Sequence, residues 1–396
     1  MLKILFLSDL HVFASAGREA DERPSYVDAT DQNPTPTQDA FMALRSLIAQ
    51  EKIEADLLIC GGDLCDKADP IGVRYAWQCV SEVGKLAQVS KTLAVCGNHD
   101  LDSRYLLNDD DPDPKGSLQA LLPIFPIDDE AMADKYWSRN FVTLQGPKPS
   151  TRILLLNSSA YHGGKPAEIK HGRVTARTLD HMRIVLTNEG KRDLNILVCH
   201  HHPFPDSRLD GKADYEAIDN GQALLQLLDE PTFGPWLILH GHRHLARIIF
   251  APGAVSQNVV IGAASFSAKI SEAANQVHLI DVGVNASYPI FGKIRSWTFS
   301  YGQGFLSLPQ NKNALPSHCG FGFKGSMGDL ATRVHAYVDS ASDAYCLWGA
   351  VCTAVPDIDY LNPEQFRFFK QELKQRGLRI SFGDSGLPDQ VIGENA

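Results

Sequence analysis

The amino-terminal stretch Met1-Leu-Lys-Ile-Leu-Phe-Leu-Ser-Asp-Leu-His11 is a short aliphatic run that ends in polar side chains. Residues 3–7 have the length and composition of a buried strand, and Asp9 and His11 follow where that strand ends. Similar aliphatic runs alternate with amphipathic stretches through most of residues 1–285, which predicts an α/β architecture. The other predicted segments are helices over 37–50, 71–88 and 175–186 and strands over 56–60, 92–96, 152–156, 195–199, 235–239, 258–262 and 276–282.

Five short polar segments stand at the ends of these predicted strands, and they contain eight of the 14 histidines of the chain. Because ligands of open α/β sheets collect at the carboxyl ends of strands, we expect the five segments to converge on one crevice. A His-x-His pair after a strand favours metal binding, since alternate strand residues share a face. The segments are Ser8-Asp-Leu-His11, Gly61-Gly-Asp-Leu-Cys-Asp66, Cys96-Gly-Asn-His-Asp100, His200-His-His-Pro203 and His240-Gly-His-Arg-His244.

In their order and spacing, these segments resemble the pattern of the calcineurin-like metallophosphoesterase superfamily: Asp-x-His, Gly-Asp-x-x-Asp, Gly-Asn-His-Asp/Glu, a lone His and Gly-His-x-His. The resemblance covers about residues 1–285 and implies a four-layer α/β/β/α sandwich with a dinuclear metal site at the strand ends. Residues 286–396 contain no such motif, and we predict that they form a C-terminal extension or small accessory domain of unknown fold and role. Alternatively, a strand over 292–300 extends the preceding sheet.

The resemblance also implies the ligands of two divalent metal ions. Among the three consecutive histidines, His201 is the expected ligand, because the family ligand stands two residues before a proline, here Pro203. Strand alternation then predicts that His200 points away from the site, whereas His202 and His240 support the ligands or pack around them. A set of imidazoles, carboxylates and one amide oxygen suits Mn, Fe or Zn. The implied ligands are Asp9, His11, Asp63 and His244 for one ion and Asp63, Asn98, His201 and His242 for the other, so that Asp63 bridges the two.

By the same resemblance, the reaction is hydrolysis of a phosphate ester by a hydroxide that bridges the two metals. His99 is then the general acid that protonates the leaving group, and Asp66 orients and charges it. Two divalent ions, two carboxylates and a hydroxide nearly cancel in charge, which favours a phosphodiester over a more highly charged monoester. Arg243 and Arg104 are weaker candidates for binding substrate phosphate, because arginine offers a bidentate fork. For Arg243, the alternative is a surface ion pair.

The overall composition restricts the partners of the protein. Lys and Arg total 37 against 47 Asp and Glu, a formal net charge of −10, which disfavours binding to extended duplex nucleic acid. A small phosphate ester is therefore the expected partner. Eight cysteines without a Cys-x-x-Cys pair predict reduced thiols inside the cell. Because the first apolar run stops at Ser8 and no run of about 18 apolar residues occurs, we expect a cytoplasmic protein that does not associate with membranes.

Two alternative functions remain open at this stage. The first is a nuclease that acts on short or single-stranded nucleic acid, for which Lys293, Arg295 and Trp297 with Phe299 would form a small binding platform. The second is a non-catalytic protein-interaction scaffold on the same fold. The presence of every ligand position and of both His99 and Asp66 argues against the scaffold.

Overall fold

The structure is a computed structural model that describes residues 1–15, 19, 22–103, 113–164, 168–206, 214–253, 258–271, 273–308, 313–341 and 345–393. Its strands are β1 (Leu2–Leu7), β2 (Leu57–Cys60), β3 (Lys91–Ala94), β4 (Phe141–Gln145), β5 (Thr151–Leu156), β6 (Leu194–Val198), β7 (Trp236–His240), β8 (Arg247–Phe250), β9 (Val259–Gly262), β10 (Gln276–Gly283), β11 (Phe291–Ser300), β12 (Gly304–Leu306), β13 (His318–Phe321), β14 (Tyr345–Leu347), β15 (Leu378–Phe382) and β16 (Pro388–Gly393). Its helices are α1 (Ala40–Glu51), α2 (Pro70–Leu86), α3 (Gly116–Gln119), α4 (Glu130–Arg139), α5 (Ala176–Glu189), α6 (Gly221–Leu228), α7 (Met327–Ser340), α8 (Trp348–Ala354) and α9 (Pro363–Gln375), with a 3-10 helix at Pro356–Tyr360.

The two large sheets have mixed strand directions. In the first, the strand order is β12-β11-β10-β1-β2-β3, with β13 also paired to β11, and β1, β2 and β3 run parallel. In the second, the order is β4-β5-β6-β7-β9-β8, and β5, β6, β7 and β9 run parallel. The parallel strands are short and almost entirely buried, as expected where both faces of a sheet are covered.

Two packed cores show that the protein has four layers. Alternate residues of β5 belong to different cores: Ile153 lies in the core that also contains Leu5 of β1, whereas Leu154 lies in a core with Met182 of α5 and Leu224 of α6. Because alternate strand residues face opposite sides, the second sheet packs on the first sheet with one face and on helices with the other. Helices α1 and α2 contact the first sheet. This arrangement confirms the predicted α/β/β/α sandwich.

The polar segments predicted from the sequence all lie at the carboxyl ends of parallel strands. Asp9 follows β1, Asp63 follows β2, and Asn98 follows β3 in the first sheet, while His201 follows β6 and His242 follows β7 in the second. The carboxyl ends of the strands of the two sheets meet there, since the backbone amide of His242 donates a hydrogen bond to Oδ1 of Asp9 at 2.9 Å. The adjoining carboxyl ends of the strands of both sheets therefore gather side chains that are far apart in the sequence.

The residues after 285 fall into two parts. Strand β11 pairs antiparallel with β10, so the expected strand over 292–300 extends the first sheet, as its alternative prediction stated. The predicted domain boundary after residue 285 therefore falls between two paired strands of the first sheet, β10 and β11. A separate core begins near Phe323, where α7, α8 and α9 pack with the small sheet β14-β16-β15. A separate role for this C-terminal layer remains a prediction.

The proposed nucleic-acid platform on β11 is wrong in its aromatic part. Trp297 and Phe299 are each only 5% exposed, so neither ring offers a face on which a base could stack. The guanidinium of Arg295 instead lies over the ring of Trp297, 5.2 Å from its centre. In the part of the chain that the structure describes, no helix is both long and apolar enough to cross a bilayer.

Candidate metal centre

The backbone at the sheet edge adopts an unusual conformation at five candidate ligands. All five have positive φ angles, a left-handed conformation that costs a residue other than glycine about 1–3 kcal/mol. Such strain persists where the surrounding structure enforces it, and it is concentrated at functional sites. The five are Asp9 (φ 57°), His11 (φ 47°), Asp63 (φ 53°), His242 (φ 71°) and His244 (φ 56°).

One group of possible ligands consists of Asp9, His11 and His244. One ligand atom from each lies within 4.8 Å of the others, a spacing that can hold a metal ion. Nε2 of His244 is 3.8 Å from Oδ1 of Asp9, and the rings of His11 and His244 stack with their centres 5.1 Å apart. The carboxylate of Asp9 is fully buried.

Asp63 lies beside this group, in a position that suits a bridging ligand. Its Oδ1 accepts a hydrogen bond from the backbone amide of His99 at 2.8 Å. Its Oδ2 faces imidazoles from both sides, 3.6 Å from Nε2 of His11 and 3.3 Å from Nε2 of His200. The chain can approach so closely only because residue 97 is glycine, since a Cβ on Gly97 would lie 2.1 Å from Oδ1 of Asp63.

A second group lies around the amide oxygen of Asn98. Nδ1 of His242 is 3.1 Å from that oxygen, and the rings of His201 and His242 have their centres 4.5 Å apart. Nδ1 of His201 is 2.9 Å from the hydroxyl of Ser158, which fixes the ring and leaves Nε2 available. The structure thus brings together all seven ligands that the sequence predicts, in two adjoining groups.

His200 does not point away from the site, and that prediction is wrong. Its ring is fully buried, with Nδ1 2.8 Å from the carbonyl oxygen of Gly61 and Nε2 3.2 Å from the amide oxygen of Asn98. Residues 196, 198 and 200 share the face of β6 that looks toward the first sheet, and the polar segments of that sheet lie on this side. His200 keeps the direction that alternation gives this face, whereas the chain has left the strand after Val198 and turns so that His201 reaches the site as well.

The donor atoms of the site fit divalent cations. Among the described residues, Nε2 of His11, Nε2 of His201 and Nδ1 of His244 are buried and have no hydrogen-bond partner. Burial lowers the pKa of each of these three imidazoles, so that they are neutral and have free lone pairs near neutral pH. Burial also raises the pKa of Asp9, a penalty that a bound cation would offset. For Asp63, burial acts in the same direction, but His200 and His99 hold its pKa well below the usual range.

His99 and Asp66 form a pair at the rim of these groups. Nδ1 of His99 is 3.4 Å from Oδ1 of Asp66, and the ring of His99 stands edge-on to His11 with centres 4.7 Å apart. The side chain of His99 is 22% exposed, whereas that of Asp66 is 5% exposed. A partly open imidazole backed by a buried carboxylate has the geometry that a general acid needs.

The remaining predicted residues have different surroundings. Arg243 forms an ion pair with Glu216, as its alternative prediction stated, but the pair is partly buried beside His242 rather than on the surface, since the Arg243 side chain is only 16% exposed. Arg104 lies outside the described residues. His202 is paired with Asp214 at 2.6 Å, consistent with a supporting role. His240 is buried, and its Nδ1 is 3.0 Å from the carbonyl oxygen of Gly241.

Two acidic residues of the site were missed in the sequence. Oε2 of Glu216 lies 3.5 Å from Nε2 of His242, and the interaction with His242 contributes most to lowering the pKa of Glu216 to about 2. The carboxylate of Asp214 accepts hydrogen bonds from the backbone amides of Asp206 and Glu216. Carboxylates often orient metal-binding histidines in this way. Both residues lie in a connecting segment without a motif, and no sequence pattern distinguishes them from surface acids.

A four-layer sandwich with histidine, carboxylate and amide groups gathered at its strand ends defines a protein of the metallophosphoesterase class. The chain belongs to the calcineurin-like phosphoesterase family, whose family model matches residues 2–246. This family uses metals, and the His and Asp groups described above could bind them. A comparison with curated proteins gives no match.

Three of the solved structures that match this chain are the following. A purple acid phosphatase, PPD1, from yellow lupin seeds has 14% identity and a TM-score of 0.47, over 76% of this chain and 52% of that one. A putative 5'-nucleotidase from Staphylococcus aureus has 14% identity and a TM-score of 0.40, over 72% and 51%. A metallophosphoesterase from Sphaerobacter thermophilus has 12% identity and a TM-score of 0.24, over 90% and 99%. This chain thus spans about half the length of the first two proteins.

Proposed function

We propose that this protein is a metal-dependent phosphodiesterase that acts on a small phosphate ester. The observation that carries the proposal is the juxtaposition of two possible metal-ligand groups around Asp63, with the His99–Asp66 pair beside them. Two divalent ions, Mn, Fe or Zn, would be held by Asp9, His11, Asp63, Asn98, His201, His242 and His244. Bound there, they would polarise the phosphoryl oxygens and supply a water acidic enough to attack phosphorus near neutral pH.

The protein's own residues hold this site in a fixed arrangement. Asp63 is bound at Oδ1 by the amide of His99, so its Oδ2 is directed between His11 of the first group and His200, which also contacts Asn98 of the second group. Asp9 is held by the amide of His242, which ties the first group to the second sheet. Because the groups are positioned before substrate arrives, little reorganisation is required during the reaction.

His99 is the residue we assign to protonation of the leaving group. Its Nδ1 faces Asp66, so Nε2 is left for the substrate side. A carboxylate on one ring nitrogen fixes the orientation of the imidazole, so that the other ring nitrogen is directed toward the leaving group. Asp66 acts through His99 and is therefore a positioning residue.

A preference for diesters is supported by the charge around the site. A monoester has one more negative charge than a diester near neutral pH, and an additional cation in the site would strengthen its binding. The guanidinium of Arg243, next to two ligand histidines in the sequence, is already paired with Glu216. The formal net charge of −10 disfavours extended duplex nucleic acid as substrate, and the burial of Trp297 disfavours the platform expected for a single strand.

The cellular location is proposed from the cysteines. All eight are free thiols, which suits a reducing compartment, and we therefore propose a cytoplasmic location.

The diester preference can be tested with two substrates that have the same leaving group. With Mn supplied, we expect kcat/KM for bis(4-nitrophenyl) phosphate to exceed that for 4-nitrophenyl phosphate by at least about tenfold, a difference of about 1.4 kcal/mol in activation free energy. Equal or faster turnover of the monoester would contradict the preference while leaving the metal site intact. Absence of turnover of both compounds by fully metallated protein would favour the scaffold alternative.

His200 is expected to hold the side chains of Asp63 and Asn98 in place, because its Nε2 lies 3.3 Å from Oδ2 of Asp63 and 3.2 Å from the amide oxygen of Asn98. Replacing a residue that supports metal ligands typically lowers metal affinity by about 10- to 100-fold, so His200→Ala should weaken Mn binding by that factor in competition with a chelator. His278→Ala is the matched control, because His278 is equally buried but bonds to Ser296 on the first sheet. Unchanged Mn affinity in a folded His200→Ala protein would remove His200 from this role.

A further inference from the structure

A cleft of about 670 Å³ lies between the first sheet and the C-terminal layer. Strands β11 and β13 contribute Arg295 and His318 to one side. Helices α8 and α9 contribute Trp348 and Phe366 to the other side, and Phe382 lies at the end of β15. The volume is in the range of pockets that bind small molecules.

The cleft is remote from the metal centre. Asp281, which also lines it, pairs in register with Lys3 of β1 and with Lys293 of β11. Lys3 stands near the start of β1, whereas Asp9 follows its end, and six residues of extended chain span about 20 Å. The cleft and the metal centre thus lie toward opposite ends of the same sheet.

The charged groups of the cleft favour an anion. Lys293 is neutralised by Asp359, with 2.6 Å between Nζ and Oδ2. In the described ranges, no carboxylate pairs with the guanidinium of Arg295, or with Nζ of Lys370, which lies over the rings of Phe366 and Phe382. Since Asp281 is the remaining carboxylate among the lining residues, the two unpaired cations leave the cleft with an excess of positive charge.

The other lining groups indicate the shape and the hydrogen-bonding groups of the ligand. Trp348 and Phe366 pack edge-to-face with ring centres 6.0 Å apart, and Phe382 is 45% exposed, so these rings offer an aromatic surface against which a flat ligand ring can pack. Oδ1 of Asp281 is buried and has no hydrogen-bond partner among the described residues. A buried acceptor of this kind is costly unless a donor satisfies it, and a ligand N–H group would do so.

We propose that this cleft binds a small aromatic anion with an N–H donor, the anion at Arg295 and Lys370, the ring against the aromatic surface of Trp348 and Phe366, and the donor at Asp281. Mononucleotides and aminoaryl acids share this chemistry. The site is separate from the metal centre and does not depend on the proposed hydrolysis. It gives the C-terminal layer, which the family motifs leave unexplained, a ligand-binding role.

Calorimetric titration of the purified full chain with 5-aminonaphthalene-1-sulfonate tests this site. We expect saturable binding that neutral 1-aminonaphthalene does not match. Loss of a hydrogen bond to a charged group weakens binding by about tenfold or more. Arg295→Gln and Lys370→Gln should therefore each raise the Kd of the sulfonate by at least that factor. Arg367→Gln is the matched control. Arg367 lies on α9, as Lys370 does, and its guanidinium also lies over an aromatic ring, that of Phe368, but Arg367 does not line the cleft.

The proposal is overturned if the sulfonate and its neutral analogue bind equally, if neither binds, or if both cleft variants bind the sulfonate as well as the Arg367→Gln protein does. Displacement of the bound sulfonate by adenosine 5'-monophosphate but not by adenosine would identify a nucleotide as the natural type of ligand. Displacement by 4-aminobenzoate alone would identify an aromatic acid.

Discussion

Asp63→Ala is expected to abolish binding of both metal ions and to lower diester hydrolysis by more than about 100-fold. The loss should exceed the 10- to 100-fold effect of removing a residue that merely supports a ligand, because Asp63 is the carboxylate proposed to be shared. Its Oδ2 faces His11 of the first group on one side and, on the other, His200, which contacts Asn98 of the second group, so its removal affects both ligand groups. Elemental analysis of the purified variant, dialysed against excess Mn, measures this directly.

Asp56→Ala is the appropriate control for this experiment. Asp56 precedes β2, the strand that Asp63 follows, and its carboxylate accepts a hydrogen bond from the backbone amide of Lys3 at 2.8 Å. The control therefore removes a carboxylate near the opposite end of the same strand. If the Asp63→Ala protein retained two metal ions per chain, the proposed bridging role would be wrong.

His99→Ala is expected to keep its metal content and to lose about 10²- to 10⁴-fold in kcat, the usual contribution of a general acid. The loss should depend on the leaving group. Diphenyl phosphate, whose phenolate needs a proton more than 4-nitrophenolate does, should show the larger loss, and bis(4-nitrophenyl) phosphate the smaller one. A merely structural role for His99 would slow both substrates by the same factor.

His335→Ala serves as the control for this second substitution. His335 is also paired with a carboxylate, that of Asp339 at 2.9 Å, but on the surface of α7. It should behave as the unaltered protein in both metal content and turnover. Normal turnover of diphenyl phosphate by metallated His99→Ala protein would exclude His99 as the acid.

The sequence predicted the parts of the site that follow from strand order. Asp9, Asp63 and Asn98 each follow a short aliphatic run, and the carboxyl ends of parallel strands must meet at one edge. The same reasoning placed His242 and His244 after β7. These predictions needed only local patterns, because the sheet itself brings the side chains together.

Features that depend on distant contacts could not be predicted in this way. The direction of His200 depends on which face of β6 meets the first sheet, and Glu216 reaches His242 from a segment without a motif. The small sheet of the C-terminal layer was equally inaccessible, because β14 has only three residues and its partners are far along the chain. Short strands of this kind have too few residues for a periodic pattern to appear.

The central claim is that two cations share Asp63 at the meeting edge of the two sheets. Anomalous diffraction from crystals of the full chain grown with manganese tests it most directly. We predict two manganese peaks, both coordinated by the carboxylate of Asp63, one beside His11 and the other beside His201. A single peak, or peaks that do not contact Asp63, would contradict the claim.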